Sequence, residues 1–113
     1  MVLEVSFTSG QMAKTCSTAA LMQRKWGALR AKKMHLRLGQ MTAAANLAEL
    51  MTLPQARCHQ LGADRDEQFS LDLDGPYRLI VEVDHDPVPR RDDGGVDLDR
   101  VTRLIVIEVA DTH

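Results

Sequence analysis

The sequence predicts an α+β fold, with an N-terminal strand and two to three helices packed on a mostly antiparallel sheet. Three observations lead there. Val2 to Phe7 alternates and is rich in β-formers. From Met12 to Leu50, apolar residues recur at spacings of three, four or seven. Beyond Cys58 the period drops to two. A length of 113 residues suits one domain, 1–113, around one core. A chain of this size buries roughly two-thirds of its unfolded surface, so its fold needs no disulfide or metal staple.

Thr8, Ser9 and Gly10 end the first strand and supply a helix cap. The apolar stripe that follows runs through Met12, Cys16, Ala19, Met22, Trp26, Leu29, Leu36, Ala43, Leu47 and Leu50, and is expected to face the core. Lys33 and Gln40 interrupt it, and Gly39 invites a break. Two helices are expected, or one with a further short helix near Ala43 to Met51, closed by Pro54. Cys58 to Leu61 reads as a short strand. Phe69, Leu71 and Leu73 alternate with Ser70, Asp72 and Asp74, as in a half-buried strand. Asp74-Gly75-Pro76 turns the chain. In the returning strand, Arg78, Ile80 and Glu82 oppose Leu79, Val81 and Val83. Residues 84–101 form an extended loop rich in Pro, Gly and Asp. Leu104 to Val109 is almost continuously apolar, which places it at the centre of the sheet.

A net charge of −2 conceals a split. Val5 to Ala48 carries seven Lys/Arg and no acid; Glu49 to His113 carries fifteen acids and seven bases. A +7 segment thus precedes a −8 segment, and Glu4 completes the total. Such asymmetry points to a polyanionic partner or to contact between the two halves. At about 100° per residue the basic side chains spread around the helical wheel, which argues against a groove-reading helix. Phe7, Trp26, Phe69 and Tyr77 are too few aromatics for a base-stacking platform. No run approaches the ~18 apolar residues of a membrane span. The N-terminus lacks the charged-then-apolar pattern of a secretion signal, so a cytoplasmic location without a membrane partner is expected. Cys16 and Cys58 match no metal spacing and read as reduced, partly buried thiols.

The helical half offers no catalytic grouping. The strand half offers His59, Asp64, Arg65, Arg78, Asp111 and His113. Two histidines and an arginine suit metal-free cleavage of a phosphodiester. One imidazole takes the proton of a ribose 2′-hydroxyl, a second protonates the leaving 5′-oxygen, and a guanidinium balances the phosphorane charge. In a small domain the commoner reading of two histidines is as surface groups. The run Asp92-Asp93-Gly94-Gly95-Val96-Asp97-Leu98-Asp99 lacks EF-hand spacing and reads as a solvated loop. No metal or cofactor is expected. His35 and His85 read as ordinary, and Trp26 as core.

Arg57-Cys58-His59-Gln60-Leu61-Gly62-Ala63-Asp64-Arg65, then Phe69-Ser70-Leu71, Pro76-Tyr77-Arg78-Leu79-Ile80 and the final Asp111-Thr112-His113 resemble the RelE/ParE toxin superfamily. They are most similar to the HigB-type killer toxins of bacterial type II toxin–antitoxin systems. The family pattern runs H-x-L-K-G-D-R, an aromatic-rich strand, W/Y-R-I/L and a final D-Y-H. The resemblance spans almost the whole chain; its specific part is residues 57 to 82 and the last three. It implies a RelE-like fold and a ribosome-dependent mRNA endonuclease, neutralised by a cognate antitoxin that is often a helix-turn-helix protein. By position it implies His59 and His113 as acid–base groups, Arg78 as phosphate stabiliser and Asp111 as a positioning group. Arg65, Lys32, Lys33 and Arg37 are the candidate RNA contacts. Asp64 and Arg65 equally suit a turn-stabilising ion pair.

Two departures stand out. Gly62-Ala63 replaces the family's Lys-Gly, which removes a cation, and Thr112 replaces its Tyr, which removes an aromatic. Loss of one preorganised charge can cost roughly 10²–10³ in rate. The alternative is therefore a non-cleaving or weakened relative that binds an antitoxin or acts in killer suppression. A gyrase poison of the ParE kind is disfavoured, because gyrase-directed relatives generally lack the histidine set.

Overall fold

In the computed structural model, which describes residues 2–111 apart from the Ala63 side chain, the chain opens with strand β1 (Glu4–Phe7). Four helices follow: α1 (Gly10–Thr15), α2 (Ala19–Trp26), α3 (Ala28–Ala43) and α4 (Leu47–Leu50). The rest is strands β2 (His59–Gln60), β3 (Gln68–Asp72), β4 (Tyr77–Val83) and β5 (Arg103–Asp111), with 3-10 turns at Ala63–Arg65 and Leu98–Arg100. The five strands form one sheet in the order β1-β5-β4-β3-β2. β1 pairs with β5 in parallel, and the other neighbours are antiparallel. The architecture is α+β, and the apolar run in β5 does lie inside the sheet.

Local chemistry explains the helix ends. Ser9 Oγ accepts from Met12 N at 3.1 Å, Thr18 Oγ1 from Leu21 N at 3.1 Å, and Asn46 Oδ1 from Glu49 N at 2.8 Å. Each satisfies an N–H that the first helical turn leaves unpaired. Gly27, at φ 82°, ends α2 and starts α3 in a conformation that a side chain would strain.

These breaks correct the helical expectations. The described residues form four helices rather than two or three, and Gly39 lies inside α3 without breaking it. The break at Gly27 also resets the helical phase. Leu29 and Leu36 are 60% and 46% exposed, although the stripe assigned them to the core. Ala31, Met34 and Met41 take that place. At the N-terminus, Val2 is 53% exposed and outside the strand, whereas Leu3 is buried with its N–H on Ala44 O at 2.7 Å.

The core lies between the helices and one sheet face. Met22, Met34, Met41, Leu47 and Leu50 meet Phe69, Leu71, Leu79, Val81, Leu104 and Val106 there. Burying side chains of this size contributes about 1.5–3 kcal/mol each before the entropy of ordering is subtracted. The β4–β5 register shifts between Ile80, which faces Glu108, and Val81, which faces Val106; Ile107 is the extra residue. No helix among the described residues is long and apolar enough to cross a membrane.

Candidate functional site

The helices cover one face of the sheet and leave residues of the other to form an open cleft. Its floor follows from strand register. His59 of β2 faces Ser70 of β3, Ser70 faces Ile80 of β4, and Ile80 faces Glu108 of β5. A parallel row holds Asp72, Arg78 and Ala110. Because strand side chains alternate, the two rows share one face. His59, Leu61, Arg65, Ser70, Arg78, Ile80, Glu108, Ala110 and Asp111 line a cleft of about 480 Å³. That volume falls within the range of small-ligand sites.

His59, Ser70, Arg78 and Arg65 are held by neighbours. His59 is exposed, with Nδ1 3.0 Å from Arg57 O and Nε2 3.1 Å from Ser70 Oγ. Arg78 Nε pairs with Asp72 Oδ1 at 2.9 Å, and its Nη1 donates to Gly75 O at 2.8 Å and Tyr77 O at 2.9 Å. This clamp fixes the plane of the guanidinium. Asp72 also meets Arg57 Nε at 3.4 Å. Arg65 Nε donates to Gln68 Oε1 at 2.8 Å, and Gln68 Nε2 to Glu82 Oε1 at 3.1 Å.

The extended loop braces this edge. Arg90 bonds Asp66 Oδ2 at 2.7 Å and Glu67 Oε2 at 2.6 Å, just beyond Arg65. These carboxylates, Asp66 first, hold the Arg90 guanidinium above its usual pKa. At the loop's other end His85 Nε2 accepts from Thr102 N at 3.0 Å and Arg103 N at 3.2 Å. The histidine that reads as ordinary in the sequence therefore ties the loop to the start of β5.

Of the sequence-derived candidates, His59, Arg65, Arg78 and Asp111 converge on the cleft. His113 and Thr112 lie outside the described residues. Lys32 and Lys33 belong to α3, in the helical layer; Lys32 lines a separate hollow with Ala28, Ala31 and His35. Arg37 is a correction. It is 3% exposed, with Nε on Asp72 O at 2.6 Å, Nη1 on Gln40 Oε1 at 3.1 Å and Nη2 on Gln55 O at 2.8 Å. Burial pulls its guanidinium below the ordinary arginine value, partly offset by the Asp72 carboxylate. Those donors serve the fold rather than an RNA. Asp64 is exposed and in no ion pair among the described residues; Arg65 bonds Gln68 in place of Asp64.

Ser70, Asp72 and Glu108 are the residues that sequence reasoning missed. Their outward phase was readable from the alternation, but not which strands would lie beside His59. Charges at the cleft balance, with Arg65 and Arg78 set against Glu108 and Asp111. Burial pushes the Cys16 and Cys58 thiols up to about 11 and about 12, so neither is a nucleophile at neutral pH. Among the described residues no group of three or more His, Cys, Asp or Glu is arranged to hold a metal ion. Comparison with protein-family models, with curated proteins and with solved structures returned no match.

Proposed function

We propose that the chain is a RelE-like, HigB-type toxin of a bacterial type II toxin–antitoxin system, a metal-independent endoribonuclease that cuts mRNA on the ribosome. The observation that carries this reading is the convergence of His59, Arg65 and Arg78 on one cleft. Sequence motifs some 20 residues apart, which resemble that family, meet there through strand register. Chemically, an imidazole accepts the 2′-hydroxyl proton while a clamped guanidinium faces the phosphate. The setting is the bacterial cytoplasm, and the partner is a cognate antitoxin of the helix-turn-helix kind.

Induced expression, with and without the adjacent gene, tests the reading directly. Growth arrest with ribosome-dependent mRNA cleavage is expected from the wild-type chain, and relief when the antitoxin is co-expressed. His59→Ala is expected to slow cleavage by roughly 10²–10⁴, and Arg78→Ala by roughly 10²–10³. Harmless expression with intact ribosome-bound mRNA overturns the reading.

The balanced cleft charge favours a second reading, a non-cleaving relative that binds an antitoxin or suppresses a killer protein. Co-purification with a helix-turn-helix protein in the absence of toxicity is its signature.

A further inference from the structure

His59 is held at both ring nitrogens. Nδ1 lies 3.0 Å from the Arg57 carbonyl. A carbonyl only accepts, so Nδ1 carries the hydrogen. A neutral imidazole has one N–H, so Nε2 then presents its lone pair, and the Ser70 hydroxyl 3.1 Å away donates to it. Both partners are themselves fixed. Ser70 is 3% exposed and set between His59 and Ile80 by the strand register. Arg57 has φ 46°, a conformation that costs a non-glycine residue about 1–2 kcal/mol, and from it the carbonyl meets the ring. Two contacts restrain that segment. Asp72 N donates to Ala56 O at 2.8 Å, and Arg57 Nε pairs with Asp72 Oδ2 at 3.4 Å.

We infer that Ser70 and the Arg57 carbonyl together hold neutral His59 as its Nδ1–H tautomer, with Nε2 aimed into the cleft, so that His59 is the base of the site and Ser70 its positioning residue. The role as base rests on the RNA-cleavage reading; the tautomer does not. In the step, the substrate 2′-hydroxyl takes the place of the Ser70 hydroxyl at Nε2 and gives its proton to that nitrogen. The 2′-oxygen bonds to phosphorus, the P–O5′ bond breaks, and the departing 5′-oxygen takes a proton from solvent water, while His59 keeps the 2′-hydroxyl proton until it returns it to solvent. A cyclic 2′,3′-phosphate and a 5′-hydroxyl result.

Nitrogen-15 NMR of the free, histidine-labelled protein, at a pH where the imidazole is neutral, reads the tautomer without RNA or ribosomes. The expected spectrum shows a protonated Nδ1 and a pyridine-like Nε2 for His59. Ser70→Ala should raise the Nε2–H population, whereas Ser70→Thr, which keeps the hydroxyl, should restore the wild-type pattern. In cleavage assays Ser70→Ala should lower kcat roughly 10- to 100-fold with little change in KM, a part of the 10²–10⁴ that a positioned base supplies. A wild-type His59 protonated at Nε2, or a tautomer indifferent to Ser70→Ala, overturns the inference. Because the spectrum is recorded on the protein alone, that failure is distinct from an absence of ribonuclease activity.

Discussion

At the scale of single residues, what matters is how far each side chain is already committed. Arg78 is clamped by Asp72 and two carbonyls, and His59 by Ser70 and Arg57. A preorganised group loses little freedom when a substrate arrives, which is why electrostatic stabilisation in such sites is large. Gly62 is the open position. It stands where the resemblance calls for lysine, with φ −90° and ψ −177°, ordinary extended backbone, and a Cβ built there meets nothing within 4 Å. Gly62→Lys should therefore fold as the wild type does. It should also raise ribosome-dependent cleavage roughly tenfold or more, since one well-placed donor is worth 10²–10³ in rate. An unchanged rate in a single-turnover assay would show that the missing cation is not what limits this chain.

At the scale of elements, the helices illustrate how a glycine acts by position. Gly27 at positive φ separates α2 from α3 and resets the phase of the apolar stripe. Gly39 is exposed inside α3, and a Cβ there also meets nothing within 4 Å. With no space to contest, helix propensity decides. Gly39→Ala should raise the unfolding free energy by about 0.5–1 kcal/mol. A rise in the urea midpoint at constant m would record it; a fall would mean that the helix requires the smaller residue. Among the strands, β2 spans just His59–Gln60, yet it carries the proposed base. Its hold on β3, and the bonds of Arg90 to Asp66 and Glu67, keep this thin edge in place.

At the scale of the molecule, the charge split resolves into two roles. Arg30 and Arg37 join the halves. Arg30 lies 3.4 Å over the Tyr77 ring and 3.0 Å from Asp74, while Arg37 fastens α3 to the carbonyls of Asp72 and Gln55. Lys14, Arg24, Lys25 and Lys32 remain exposed on the helical layer and enter no ion pair among the described residues. Arg37→Met keeps much of the volume but takes the guanidinium donors from the part-buried Asp72 and Gln55 carbonyl contacts, each loss costing about 1–3 kcal/mol where water does not replace it. Unfolding should become easier by about 2–4 kcal/mol. Because Arg37 also fixes Asp72, which clamps Arg78, cleavage should fall as well. A loss of stability under about 1 kcal/mol would show that water replaces the guanidinium.

The α+β class, β4 and most of β5 were legible in the chain alone, because alternation and the composition of apolar runs are local properties. Helix number was not, because Gly27 and the Thr18 cap interrupt a stripe whose spacing continues across them. The site was half legible. His59, Arg65, Arg78 and Asp111 stand out as residue types in order, but they do not reveal their neighbours. That His59 meets Ser70, that Asp72 holds Arg78, and that Arg37 is spent inside the fold all follow from strand register and helix docking. Those depend on contacts between residues 6 to 35 positions apart, which no local period encodes.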